Sequence, residues 1–208
     1  RYTQHITGYK RMNAIEAVEI SEDEAQLVSA ACNGSIAAFE SLLQLYEPRI
    51  RRMLYSMTQD AQLTQDLCQD TFLAAYRALP RMNGDELQFA PWLYRIALNL
   101  VRSEWRRHKR VKVVPFLSPQ GSEDNVFDEQ AEDFLVSDDQ FEERVVLSEL
   151  VHHVLAQLPR SSAQCLLLDA EGFTYNEIAE TMQDSLSAVR SRLSRARRAF
   201  QRIYTHLD

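Results

Sequence analysis

Residues 174–204 read TYNEIAETMQDSLSAVRSRLSRARRAFQRIY, and this stretch decides the fold. Thr174 followed three residues later by Glu177 makes a capping box: the hydroxyl satisfies an orphan backbone N–H and the carboxylate reaches back to the cap. Residues 175–182 then supply about two helical turns, with Ile178, Ala179 and Met182 available for a buried face. Gln183, Asp184 and Ser185 form a short polar break, and Ser185 can cap a second helix. From there Leu186, Val189, Leu193, Ala196, Phe200 and Ile203 recur at three- and four-residue steps, one apolar stripe along a long helix. Its other faces carry Arg190, Arg192, Arg195, Arg197, Arg198 and Arg202, with no acid before Asp208. Two helices joined by a tight turn, the second one basic, match the geometry that enters the major groove of DNA. Gln183 stands where a Gly is common, so the turn either holds a left-handed Gln, at a cost on the order of 1 kcal/mol, or differs in shape. The same pattern also fits a packing motif with a solvated arginine face, and the remainder of the chain decides between the two.

At 208 residues the chain can hold one large or two small domains, and its charge map favours two. The net charge of -7 would argue against nucleic acid if it were spread evenly, but it is segregated. Residues 99–112 contain Arg102, Arg106, Arg107, Lys109, Arg110 and Lys112 against the single acid Glu104. Residues 122–143 carry Glu123, Asp124, Asp128, Glu129, Glu132, Asp133, Asp138, Asp139, Glu142 and Glu143 with no base at all. Two basic surfaces are thus separated by an acidic strap. Cys32, Cys68 and Cys165 are odd in number and widely spaced, so they make neither a zinc pattern nor a disulfide framework, which suits a reducing cytoplasm. His152 and His153 face different ways on a helix, which argues against a metal site. No apolar run approaches the ~20 residues needed to span a bilayer, and the first twenty residues carry no secretory signal pattern. No nucleophile–base pair, phosphate-cradling glycine loop or cofactor motif points to catalysis.

Gly and Pro are scarce, at five and six, and β-branched runs are nearly absent, so the expected fold is all-α. Ser21 and Glu24 form another capping box, opening a helix that ends at Asn33–Gly34. Further helices are expected over 35–46, from Pro48 through Met57, over 64–79, and from Pro91 through Arg110, with a polar loop at 80–88. The 64–79 helix would bury Leu67, Phe72, Ala75 and Leu79 and expose Asp66, Gln69 and Asp70. Pro115, Pro119 and Gly121 break the pattern, and the acidic stretch after them reads as a flexible or partner-ordered linker rather than a core element. Helicity resumes near Phe141 with Val146, Leu147, Leu150, Val154 and Leu158, stops at Pro159, and returns over 162–170 before Gly172.

Three segments carry a family resemblance. FAPWLYRIALNL at 89–100, followed by WRRHKR at 105–110, resembles the promoter-melting helix of extracytoplasmic-function (group IV) sigma factors of the sigma-70 family. DLCQDTFLAAYR at 66–77 is similar to that family's helix for binding core polymerase. Leu158–Pro159, GFTYNEIA at 172–179 and VRSRLSRAR at 189–197 resemble its minus-35-reading domain. Ser103 stands where the family often has Asp, Gln183 replaces the turn Gly, and the step from Leu158 to Gly172 is one residue short.

The resemblance implies two small helical domains joined by an acidic flexible linker. Its boundaries are an N-terminal tail at 1–21, sigma region 2 at 22–112, the linker at 113–143 and sigma region 4 at 144–208. It implies promoter DNA and the beta-prime and beta subunits of core RNA polymerase as partners, with an anti-sigma factor as a further partner common in the family. It implies a cytoplasmic protein with no cofactor, no metal and no enzymatic activity of its own. Asp66, Gln69 and Asp70 would meet core polymerase. Asn83, Trp92, Arg95, Asn99, Arg102 and Arg106 would meet the minus-10 element, with the loop 81–88 capturing a flipped base. Ser187, Arg190, Ser191, Ser194 and Arg195 would read minus-35, while Arg197, Arg198 and Arg202 would meet phosphates or solvent. The residues support this independently. Trp92, Tyr94, Arg95 and Asn99 combine stacking surfaces, phosphate attraction and an amide, the equipment for unstacked bases. Trp92 and Tyr94 equally fit a core, whereas a mid-helix Asn such as Asn99 needs a compensating role. The rival reading is a stand-alone helix-turn-helix regulator, against which the 66–77 and 92–99 segments count because such a regulator needs neither.

Overall fold

The computed structural model describes residues 24–111, 151 and 153–205, and among these all regular structure is helical. The expected cap Ser21, the acidic linker, and the helix onset near Phe141 with Val146, Leu147 and Leu150 lie outside the described residues. Helix α1 (24–32) closes on Gly34, whose φ of 91° is the left-handed conformation a helix end requires. Ser35 caps α2 (Ile36–Thr58) by accepting the N–H of Ala38 at 3.3 Å. Asp60 caps α3 (Ala61–Ala78) through Leu63 N–H at 2.9 Å, so this helix starts three residues before the expected Thr64. A single 3-10 turn, Leu79–Arg81, leads through the 82–88 loop into α4 (Phe89–Val111).

Pro48 does not divide two helices, as the sequence suggests, but sits inside α2. Its ring removes one ladder bond and crowds the previous turn, at about 3 kcal/mol. Ile50, Met53 and Leu54 beyond it are fully buried, and each such side chain contributes about 1.5–3 kcal/mol. Burial on the far side of the proline therefore keeps the helix continuous.

The second half comprises α5 (153–156), α6 (Arg160–Ala170), α7 (Tyr175–Met182) and α8 (Leu186–Thr205). Pro159 separates α5 from α6, and Val154, Leu155 and Leu158 are buried there. The capping box on α7 is complete: Thr174 Oγ1 accepts Glu177 N–H, and Glu177 accepts Thr174 N–H at 2.6 Å. Ser185 caps α8 through Ala188 N–H at 3.2 Å. Ile178 of α7 and Val189 and Leu193 of α8 are buried in one apolar cluster, and Ala196 is buried further along α8.

Gln183 adopts the left-handed conformation, φ 55° and ψ 48°. The turn thus keeps its usual shape and carries the strain of a side chain in it. Gln183→Gly is expected to stabilise the fold by a few tenths to about 1 kcal/mol, because relief of left-handed strain exceeds the added freedom of the unfolded chain. Equilibrium denaturation of the two proteins measures the difference, and a destabilised variant would show that the Gln side chain compensates for its backbone.

Candidate nucleic-acid interface

Helix α8 divides cleanly by face. Val189, Leu193 and Ala196 are buried, while Ser187, Arg190, Ser191, Ser194 and Arg195 all face solvent. The arrangement follows from the 3.6-residue period and brings all five expected minus-35 residues onto one surface. Arg195 Nε donates to its own helix at Ser191 O, 3.3 Å, and Arg198 Nη2 donates to Ser194 Oγ at 3.0 Å.

The flanking arginines have another job. Arg192 Nη1 lies 2.6 Å from Asp184 Oδ2 and ties the turn to the recognition helix. That donation, with Ser185 N–H, holds the Asp184 carboxyl below its ordinary value. Arg197, expected at phosphate or solvent, instead donates to Asp169 at 2.7 Å and to the Tyr175 hydroxyl at 3.1 Å. It fastens α8 to α6 and α7. Sequence could not sort these arginines, because the stripe says which positions are buried but not which of the others find an acid.

Helix α4 is more heavily engaged. Asn99 and Arg106 are exposed and Arg95 is half-buried. Trp92 is 7 % exposed and lies against Phe89, with ring centroids 5.8 Å apart, so it is a core aromatic in this arrangement. Tyr94 is fully buried, its ring 4.8 Å from that of Phe173. Arg102 reaches Gln164 Oε1 at 3.0 Å and Met182 Sδ at 3.3 Å. Burial there lowers its guanidinium from the ordinary arginine value. In the loop before α4, Asn83 Oδ1 accepts Asp85 N–H at 3.3 Å, forming an Asx turn. A Cβ on the next residue, Gly84, would stand 2.8 Å from Ser29 Cα, so glycine alone allows the loop to lie on α1.

On α3, Leu67, Cys68, Thr71, Phe72 and Ala75 point inward and Asp66, Gln69 and Asp70 outward, as the sequence predicts. Burial raises the Cys68 thiol to about 11. Leu73 and Tyr76 are exposed on the same helix at 44 % and 46 %. Among the described residues no group of His, Cys, Asp and Glu could hold a metal ion, and no helix is long and apolar enough to cross a membrane.

Sequence reasoning missed Glu171. Its carboxylate receives Arg49 Nε at 3.0 Å, Arg52 Nη2 at 3.2 Å and the Tyr94 hydroxyl at 3.0 Å. Its partners lie 77 to 122 residues away, beyond the reach of any periodicity.

Residues 42–111 match the Sigma-70 region 2 family, and residues 148–200 match Sigma-70 region 4. The chain is 36% identical over 186 residues to the RNA polymerase sigma-H factor of Pseudomonas aeruginosa, covering 87% of this chain and 93% of that protein. It is 30% identical to the ECF RNA polymerase sigma-E factor of Haemophilus influenzae, over 82% of this chain and 89% of that one. The fold is similar to that of the sigma factor RpoE from Bartonella quintana, solved with the anti-sigma factor NepR. Their TM-score is 0.61 at 22% identity, over 82% of this chain and 98% of that one. The two-part match, in the same order as the two helical halves, places this chain in the sigma-70 family as an extracytoplasmic-function sigma factor, a factor for promoter-specific initiation by RNA polymerase.

Proposed function

We propose that α8 reads the minus-35 element, that α4 and the loop before it open and hold the minus-10 element, and that the outer face of α3 docks on core polymerase. The observation that carries this reading is the polar row Ser187, Arg190, Ser191, Ser194 and Arg195, all solvent-facing on a helix whose opposite face is buried. An Arg paired through two donors to a guanine discriminates by about 1–3 kcal/mol, and serines accept or donate to either base of a pair. On α4, exposed Asn99 supplies the amide that can pair with an unstacked base, and Arg95 and Arg106 supply charge for the strand. The protein acts in the cytoplasm, where its polymerase is. Since RpoE of Bartonella quintana was captured with an anti-sigma factor, an inhibitor of that kind is proposed for this chain too. Run-off transcription by core polymerase on candidate promoters, with and without this protein, tests the reading. Promoter-specific product that depends on the protein supports it. Tight, sequence-specific duplex binding by the protein alone, without such product, would make it a stand-alone regulator.

The loop role predicts a particular sensitivity at Gly84. The atom a new Cβ would meet is backbone, so neither side can give way cheaply. Gly84→Ala is expected to lift the loop from α1 at a cost of about 1–3 kcal/mol in stability. Strand opening on a duplex promoter, followed by permanganate reactivity of unpaired thymines, should slow. Transcription from a template already unpaired at minus-10 should be affected much less. Equal loss on both templates would remove the loop from the melting step.

A further inference from the structure

The arginines of α8 are not equally available to DNA. A cleft between α8 and the start of α6 is lined by Arg192, Arg195, Arg198 and Arg202 and by Ser161 and Ser162, with no acid among the described residues along it. Arg195 and Arg198 donate from Nε to Ser191 O and Ser194 O, neutral acceptors that leave their charge uncompensated. Arg192 differs. Its Nη1 lies 2.6 Å from Asp184 Oδ2 and 3.8 Å from Cys165 Sγ, and its side chain is only 22% exposed. Asp184 accepts Ser185 N–H on its other oxygen at 3.0 Å, so both carboxylate oxygens are engaged.

The place of this pair gives its charges a consequence. A recognition helix enters the groove N-terminus first, and Asp184 stands just before Ser185, the cap of α8. At 1.5 Å per residue Asp184 is about 9 Å along the axis from Arg190, within the ~10 Å over which charges act on one another at 0.1 M salt. An unpaired acid there would repel the phosphates at the groove edge. Arg192 cancels it. In the same contact Asp184 withdraws one cation from the cleft. Positions 192 and 195 lie about 60° apart around the helix, at about 100° per residue, so a released Arg192 would reach the strand beside Arg195.

We propose that Asp184 and Arg192 form a charge-neutral positioning pair that keeps Arg192 off the phosphate backbone, so that binding by α8 depends on the row Ser187, Arg190, Ser191, Ser194 and Arg195 and thereby on sequence. This rests on the reading of α8 as the minus-35 helix. Phosphate contacts position a protein without telling one sequence from another. A cation released beside the row adds most on DNA where no base contacts hold α8 in register, and so it lowers the preference for the correct site. A tie that served stability alone would have no such sign, because breaking it from either end would weaken binding alike.

The test measures binding of holoenzyme, the full chain with core polymerase, to duplex promoters carrying the preferred minus-35 element or a scrambled one, at salt between about 50 and 200 mM. Asp184→Asn removes the charge and keeps an acceptor for Ser185 N–H. It is expected to steepen the slope of log affinity against log salt by about 0.9, the value of one added phosphate contact, which is about a threefold larger loss across that range. Affinity for the scrambled duplex should rise about threefold at the lower salt, and the preference for the correct element should fall by about as much. Arg192→Gln leaves the acid uncompensated, so it should weaken binding to both duplexes and make the slope shallower. The double exchange restores a neutral pair and should return slope and preference toward wild type, an outcome that misfolding of a single variant would not produce. Slopes that move in the same direction in the two single variants, or that do not move, would overturn the proposal. A wild type with no minus-35 preference would overturn the assignment of α8 instead, and the opposed slopes would still be readable on either duplex.

Discussion

Asp70→Arg combined with Gln69→Ala is expected to weaken binding to core RNA polymerase by at least about thirtyfold while leaving the fold intact. Helix α3 turns Leu67, Cys68, Phe72 and Ala75 into the core and leaves Asp66, Gln69 and Asp70 outside. Exposed Leu73 and Tyr76 lie one turn further on. Acids beside large uncovered apolar side chains have the composition of a protein interface rather than of a solvated face. Removing one member of a charge pair buried by a partner costs about 2–5 kcal/mol, much of it from the charge left unpaired. Reversal adds repulsion to that loss, so thirtyfold, about 2 kcal/mol, is the lower end of the expectation. Exposed substitutions of this kind usually change stability by no more than about 0.5 kcal/mol, so the melting transition should hold. Competition against labelled wild-type protein for core measures the effect. Unchanged affinity would remove this face from the polymerase contact.

How much of this could be read from sequence depends on the range of the interaction involved. Local devices were legible: the Thr174–Glu177 capping box and the cap at Ser185 form as their residue types require. At Gln183 the sequence left two options, a left-handed residue or a different turn, and only the backbone, at φ 55° and ψ 48°, decides for the first. The α8 stripe was legible because its period matches the helix. Pro48 was misleading because its local penalty is outweighed by burial of Ile50, Met53 and Leu54, a tertiary effect. Arg102 and Arg197 look alike in sequence to the exposed arginines, and only three-dimensional neighbours reveal that one meets Gln164 and the other Asp169. Trp92 satisfies the composition of a stacking platform yet lies in the core against Phe89. The Glu171 contacts had no signal at all, since this is a lone acid beside a glycine and its main partner, Arg49, lies on a helix more than a hundred residues away.

Arg195 and Arg197 stand two positions apart on α8, and they are expected to fail in opposite ways when replaced by Ala. Arg195 is exposed beside Ser191 and opposite the buried Val189 and Leu193. Its Nε donates to Ser191 O within its own helix at 3.3 Å, which lays the side chain along the outer face. Loss of a base contact costs about 1–3 kcal/mol and relaxes preference at the position read. Arg195→Ala should therefore lower open-complex formation roughly 5- to 140-fold on the preferred minus-35 element and broaden the sequences accepted. Arg197 is bound to Asp169 and Tyr175, so its guanidinium is committed within the domain. With Arg197 nearly half exposed, that tie contributes at most about 1 kcal/mol. Arg197→Ala should lower the melting temperature slightly and leave the preferred sequence as it was. Selection of open complexes from a library randomised at minus-35, paired with thermal melts, separates the two. An unchanged preference in Arg195→Ala, or an altered one in Arg197→Ala, would mean that α8 enters the groove on a different face, rotated toward the side where Arg197 now meets α6.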